Sequence, residues 1–133
     1  MIDVVDKPRQ ATLHPKLKAL LDDETHSQKG YVYCTSCRHV ISHIDHRIEV
    51  GGSHDHHFTN PHGFHFHLGC YREALGCTVS GPPNAADTWF PNHVWRLAQC
   101  EACAIHLGWL FSHADGRSFF GLITARIQTE TDA

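Results

Sequence analysis

The chain is 133 residues long and 41% hydrophobic, which suits one domain and leaves no room for two independent cores. Its formal charge is −3, from 11 basic and 14 acidic residues in no basic stripe, which argues against a nucleic-acid partner. No apolar run approaches the ~18–20 residues of a membrane span.

Residues 1–29 read as an N-terminal arm. Thr12-Leu13-His14-Pro15 is a helix-start signal, and Leu17, Leu20 and Leu21 give a short apolar face. Asp22, Asp23 and Glu24 then oppose the helix dipole, so a short helix and a frayed arm fit equally well. A single domain over residues 30–127 follows, and its pattern is mainly β.

Tyr31-Val32-Tyr33 is β-prone, and the β-branched Val40, Ile41, Ile44, Ile48 and Val50 roughly alternate. Gly51-Gly52 marks a turn, Phe58 a strand, and Asn60-Pro61-His62-Gly63 a second turn. Phe64, Phe66 and Leu68 alternate with His65 and His67, the period of a half-buried strand. Tyr71 to Leu75 reads as one helical turn. Residues 78–88, with Ser80-Gly81-Pro82-Pro83-Asn84, read as a loop. Trp89-Phe90 and Val94 to Leu97 resume strand character. Leu107 to Phe111 and Phe119 to Ile123 flank Ala114-Asp115-Gly116, a hairpin signal. Residues 128–133 read as a loose polar tail.

Met1 to Gln10 carries four charges and no apolar stretch, so the expectation is a cytoplasmic protein without a secretory signal. Thiols there stay reduced, and the six cysteines need a role other than disulfides. Cys34-Thr35-Ser36-Cys37 and Cys100-Glu101-Ala102-Cys103 are two C-x-x-C pairs. Each spacing lets a tight turn aim two thiolates at one metal. Two such turns complete a closed tetrahedral shell, so one structural Zn2+ per chain is expected on Cys34, Cys37, Cys100 and Cys103. The competing readings are an iron–sulfur cluster and a redox dithiol, and the latter would need a thioredoxin-like βαβ pattern, of which none is visible. Cys70 and Cys77 read as small buried hydrophobes.

Fourteen histidines are the oddity of the composition. The run Ser53-His54-Asp55-His56-His57 and the pair His65 and His67 offer metal ligands without a fixed template, and an exposed loop is the plain reading. His106 reads as a hydrogen-bonding neighbour of the metal site. The three tryptophans, Trp89, Trp95 and Trp109, cluster near the second cysteine pair. Crowded indoles make an awkward core because each N–H needs a partner, and an aromatic-lined pocket is the alternative.

One ordered combination is more specific than any of these pieces. Asp87-Thr88-Trp89-Phe90-Pro91, Val94-Trp95, Cys100-x-x-Cys103, His106-Leu107-Gly108-Trp109 and Phe119-Phe120-Gly121-Leu122 follow one another. Cys34-x-x-Cys37, Gly51-Gly52-Ser53-His54-Asp55-His56 and Phe58-Thr59-Asn60-Pro61 precede them. Together they resemble the CULT domain, the thalidomide-binding domain of cereblon, in its stand-alone bacterial kind, over roughly residues 30–127. The resemblance implies a β-tent fold of two antiparallel sheets meeting at an angle, pinned near the zinc. It implies a cage of Trp89, Trp95 and Trp109 completed by Phe111 and Phe66, with no catalytic residues.

The ligands so implied are cyclic imides such as glutarimide, hydantoins and uracil-like rings, and C-terminal cyclic imides of modified proteins. Backbone groups of Asp87 and Trp89 would read the imide edge, and Asn60 would reach the rest of the ligand. Asp87-Thr88 stands where the family has His-Ser, which leaves backbone recognition intact and puts a carboxylate at the rim. The ligase role of cereblon is not carried over. Two other functions compete: an enzyme acting on cyclic imides or sulfoxides, and a reader of methylated ammonium groups through cation–π attraction.

Overall fold

The computed structural model describes residues 29–129. Residues 1–28 of the expected arm, with its short helix, and residues 130–133 of the expected tail lie outside them. Nine strands and two 3-10 turns make up the described region: β1 (Tyr31–Cys34), β2 (Val40–His43), a 3-10 turn (Ile44–His46), β3 (Asp55–Thr59), β4 (His65–Tyr71), β5 (Cys77–Asn84), β6 (His93–Cys100), β7 (His106–His113), β8 (Ser118–Ile123), a second 3-10 turn (Thr124–Arg126) and β9 (Ile127–Thr129). They form two antiparallel sheets, a small one ordered β2-β1-β9 and a large one ordered β3-β4-β8-β7-β6-β5.

The large sheet has a core on each face. Along β8, Leu122 packs with Val32, Cys34, Ile41 and Tyr71, whereas Phe119 and Ile123 pack with Leu68, Phe90, Trp109 and Phe111. This is the period-two alternation of a strand buried on both sides. The first cluster joins the small sheet to the large one. The second is aromatic and lies under the site described below.

Four expectations yield to long-range pairing. The Pro-rich stretch expected as a loop is strand β5. It stands at the sheet edge with a register shift between Ser80 and Asn84, and there Pro82 and Pro83 cost no ladder bonds. Tyr71 to Leu75 is not a helical turn: Tyr71 ends β4, Arg72 bends with its N–H donating to the His46 carbonyl, the Glu73 carbonyl accepts from the Ser42 hydroxyl, and Leu75 lies in a tight turn leading to β5. Trp89-Phe90 is a bend before β6, not a strand. Gln128 and Thr129, assigned to a loose tail, pair with Tyr33 and Val32 as part of β9. In addition, Asp55, His56 and His57 belong to β3, so the histidine run is only partly loop.

One bulge decides which side chains face the site. Ala98 pairs with Gly108 but Gln99 with His106, which leaves Leu107 as the extra residue. Strict alternation would put Leu107 beside Trp109 and Phe111. Leu107 instead sits in the core shared with the small sheet, and His106 turns its ring onto Trp109 at 4.8 Å. Next to the bulge, Gly108 crosses β8 so closely that a Cβ would lie 2.0 Å from the Gly121 carbonyl oxygen.

We expect Gly108→Ala to destabilise by about 2–4 kcal/mol, because neither backbone can yield. Equilibrium denaturation would measure this, and a change within error would contradict the close crossing. Ala104 sits at φ +67°, in the left-handed region. Ala104→Gly should therefore raise stability by about 0.5–1 kcal/mol in the same assay.

Candidate functional site

The two cysteine pairs occupy hairpin turns, β1–β2 and β6–β7, and the turns share one backbone conformation. In the first, Cys34 N–H donates to the His39 carbonyl (2.9 Å), Arg38 N–H donates to the Cys34 carbonyl (2.8 Å), and Arg38 has φ +69°. In the second, Cys100 N–H donates to the Ile105 carbonyl (2.9 Å) and Ala104 N–H donates to the Cys100 carbonyl (2.8 Å), with Ala104 again left-handed. A further bond, His39 to Glu101 at 2.9 Å, ties one turn to the other.

The turns bring all four sulfurs within 4.8 Å of one another. Cys34 Sγ lies 3.7 Å from Cys103 Sγ, and Cys37 Sγ lies 3.6 Å from Cys100 Sγ. A disulfide would need ~2.05 Å. Four thiolates at ~2.3 Å from a central ion stand ~3.8 Å apart on a tetrahedron, so the donor set fits a tetrahedral metal ion. As thiols the four are unequal. The Ile105 N–H pulls exposed Cys103 down to about 7, while burial pushes Cys100 up to about 12.

A cavity of about 370 Å³ opens beside this framework on the aromatic face of the large sheet. Its sheet wall follows from register. Trp95 pairs with Phe111 and Leu97 with Trp109 across β6 and β7, so all four side chains project from one face. Trp89, from the bend before β6, closes a second wall. Its ring stacks on Phe58 (4.9 Å, 4°) and meets Trp109 edge-on (4.9 Å, 81°). Phe66 of β4 stands edge-on to Trp109 at 5.3 Å. The β3–β4 turn, with Asn60, Pro61 and His62, forms the far rim.

Of the expected ligand residues, Asn60, Phe66, Asp87, Trp89, Trp95, Trp109 and Phe111 converge on this cavity. Thr88 does not line it, and its hydroxyl donates to the Phe90 carbonyl at 3.3 Å. Asn60 spends its side-chain oxygen on its own turn, accepting from the N–H groups of His62 and Phe64.

Sequence reasoning missed Leu97, Ala86, Pro61, His62 and His106 as lining residues. Leu97 was legible as the residue two along from Trp95. His106 was not, because only the bulge turns it away from the cysteines and toward Trp109. It donates from Nε2 to the Gly108 carbonyl (2.9 Å), and burial holds its pKa below the usual 6.5. Cys70 is buried and Cys77 half-buried, both outside the cavity lining, and burial pushes each thiol up to about 12. The exposed face of β3 and β4 stacks His57 on His67 at 4.2 Å, with Asp55 3.2 Å from His67. No helix among the described residues is long and apolar enough to cross a membrane.

No family model matches the chain. Curated relatives do. Protein cereblon of Xenopus tropicalis is 34% identical over 76 residues, covering 53% of this chain and 17% of that protein. Protein cereblon of Gallus gallus is 41% identical over 56 residues, covering 41% and 12%. Protein cereblon of Drosophila erecta is 31% identical over 104 residues, covering 69% and 17%. The chain therefore spans less than a fifth of the length of these relatives. With two antiparallel sheets, paired cysteine turns and these relatives, the chain belongs to the cereblon-like CULT domain family.

Proposed function

We propose that the protein is a non-catalytic binding module that holds a cyclic imide or uracil-like ring among Trp89, Trp95 and Trp109, and that its four cysteines hold one structural Zn2+. The observation that carries this reading is the cavity of about 370 Å³ with Trp95 and Trp109 on its sheet wall and Trp89 on a second wall. That size lies in the range of small-molecule sites, and flat apolar walls suit a flat ring.

The ring's edge is what backbone groups recognise. A glutarimide presents one donor between two acceptors. Asp87 and Trp89 line the cavity next to a turn where Asp87 takes φ +53°, and their backbone groups are the ones proposed to read that edge. Leaving such a group unpaired on burial costs about 1–3 kcal/mol, so rings lacking the matching edge are rejected. Glutarimides, hydantoins, thalidomide-type compounds and C-terminal cyclic imides of proteins all present it.

The non-catalytic reading draws on the thiols. Cys70 and Cys77 are protonated at neutral pH and lie outside the lining, so neither is poised to open an imide. The all-sulfur donor set favours zinc or iron over magnesium or calcium, and zinc suits a closed structural site. An ion held this way supplies rigidity and leaves no open position for a substrate. A cytoplasmic setting suits six unpaired cysteines.

Two measurements test these statements. Glutarimide should quench intrinsic tryptophan fluorescence saturably, and Trp109→Ala should abolish the response. A flat titration at millimolar ligand would remove the ring-binding reading. Elemental analysis of the folded protein should find one zinc per chain, and Co2+ substitution should give the d–d absorption of a tetrahedral thiolate site. Cys34→Ser with Cys103→Ser should lose both the metal and cooperative unfolding. Cooperative folding of metal-free protein would refute the structural role.

A further inference from the structure

We infer, resting on the imide-binding reading above, that the cavity selects rings whose outward substituent carries a positive charge, with Asp87 as the specificity-determining residue. The argument starts from the sign of everything that faces the cavity. Among the described residues, Asp87 is the one acidic residue that lines the cavity, His62 and His106 are the only other ionisable ones, and no Lys or Arg lines it. His106 is disfavoured as a cation by its burial. The other walls are aromatic, and the faces of Trp89, Trp95, Trp109, Phe66 and Phe111 present negative π density. Carboxylate and ring faces therefore act with one sign. Both attract a cation and both repel an anionic ring substituent.

Asp87 is held where it can act. Its turn is clamped through the preceding residue, Ala86. The Ala86 N–H donates to Asn84 Oδ1 at 2.7 Å, and the Ala86 carbonyl accepts from Trp95 Nε1–H at 2.8 Å. One cage wall and the Asp87 turn are thus a single hydrogen-bonded unit, so the backbone that carries the carboxylate keeps its place at the rim. Asp87 is exposed, so it keeps its water until a ligand arrives, and no folding penalty opposes its charge. The other aspartates among the described residues already have partners. Asp45 lies 3.5 Å from His43, Asp55 lies 3.2 Å from His67, and Asp115 is held by Arg117. Among the described residues, no cationic group is paired with Asp87.

The ligand class is then a cyclic imide or related ring bearing an ammonium or quaternary ammonium on the arm that leaves the mouth. A bare quaternary ammonium satisfies the charge but leaves the backbone edge at Asp87 and Trp89 unpaired, so it is the weaker fit.

The test compares two glutarimides acylated on a C3 amino group, one with trimethylammonioacetyl and one with 3,3-dimethylbutanoyl. They are equal in shape and differ in charge. Each is titrated by tryptophan fluorescence beside plain glutarimide and trimethyllysine. At low salt the cationic compound should bind the wild-type protein about threefold to tenfold tighter than its neutral isostere. That ratio should shrink toward one as salt is raised and in Asp87→Asn, a side chain that tolerates the left-handed backbone equally well. Binding of plain glutarimide with equal affinities for the two isosteres would overturn the charge selection alone. So would a ratio that persists in Asp87→Asn or at high salt. Trimethyllysine binding more tightly than the cationic imide would overturn the ring-bearing class. No response to any imide would overturn the imide reading together with this one.

Discussion

The meeting of four sulfur atoms from two hairpin turns is the constraint on which the other features depend. Cys34 and Cys37 close the β1–β2 turn of the small sheet, and Cys100 and Cys103 close the β6–β7 turn of the large one. Bringing turns so far apart in sequence together is an entropic cost that the apolar contacts between the sheets must share with the metal-binding shell. The second turn does more than present two thiols. Because it is itself the β6–β7 connection, its conformation sets the register that pairs Trp95 with Phe111 and Leu97 with Trp109. The metal shell and the cavity wall are therefore successive parts of one hairpin.

The cavity in turn explains an arrangement that would be poor as plain core. Trp89, Trp95 and Trp109 stand near one another without filling the space between them, while Phe111, Phe90 and Phe119 pack beneath as a closed aromatic layer. The indole of Trp95 satisfies its N–H on the Ala86 carbonyl, which holds that wall upright. On the proposed reading, a box whose walls are already held loses little freedom when a ring enters. The polar groups lie at the rim of this box, among them Asn60, His62 and Asp87.

Much of this was legible in the chain because it is encoded over short distances. The spacing of each C-x-x-C pair states both the donor chemistry and the tight turn that delivers it. The alternation of Phe64, Phe66 and Leu68 marks a two-faced strand, and Ala114-Asp115-Gly116 marks the turn between β7 and β8. The order of tryptophans and cysteines carried the family resemblance, and seven of the eight expected ligand residues do face one cavity.

What only the tertiary structure decided was which strand lies at an edge, where a ladder slips and what a backbone bond already occupies. Pro82 and Pro83 sit in a strand because β5 has a neighbour on one side alone. His106 reaches the cavity because Leu107 is squeezed out of register. Thr88 turns away because its hydroxyl binds the Phe90 carbonyl, and Gln128 and Thr129 are ordered because β1 needs a partner. Local spacing fixes donor types and turns, since those interactions span a few residues. Edges, bulges and rim geometry arise from contacts between segments far apart in the chain, so no window of the sequence contains them.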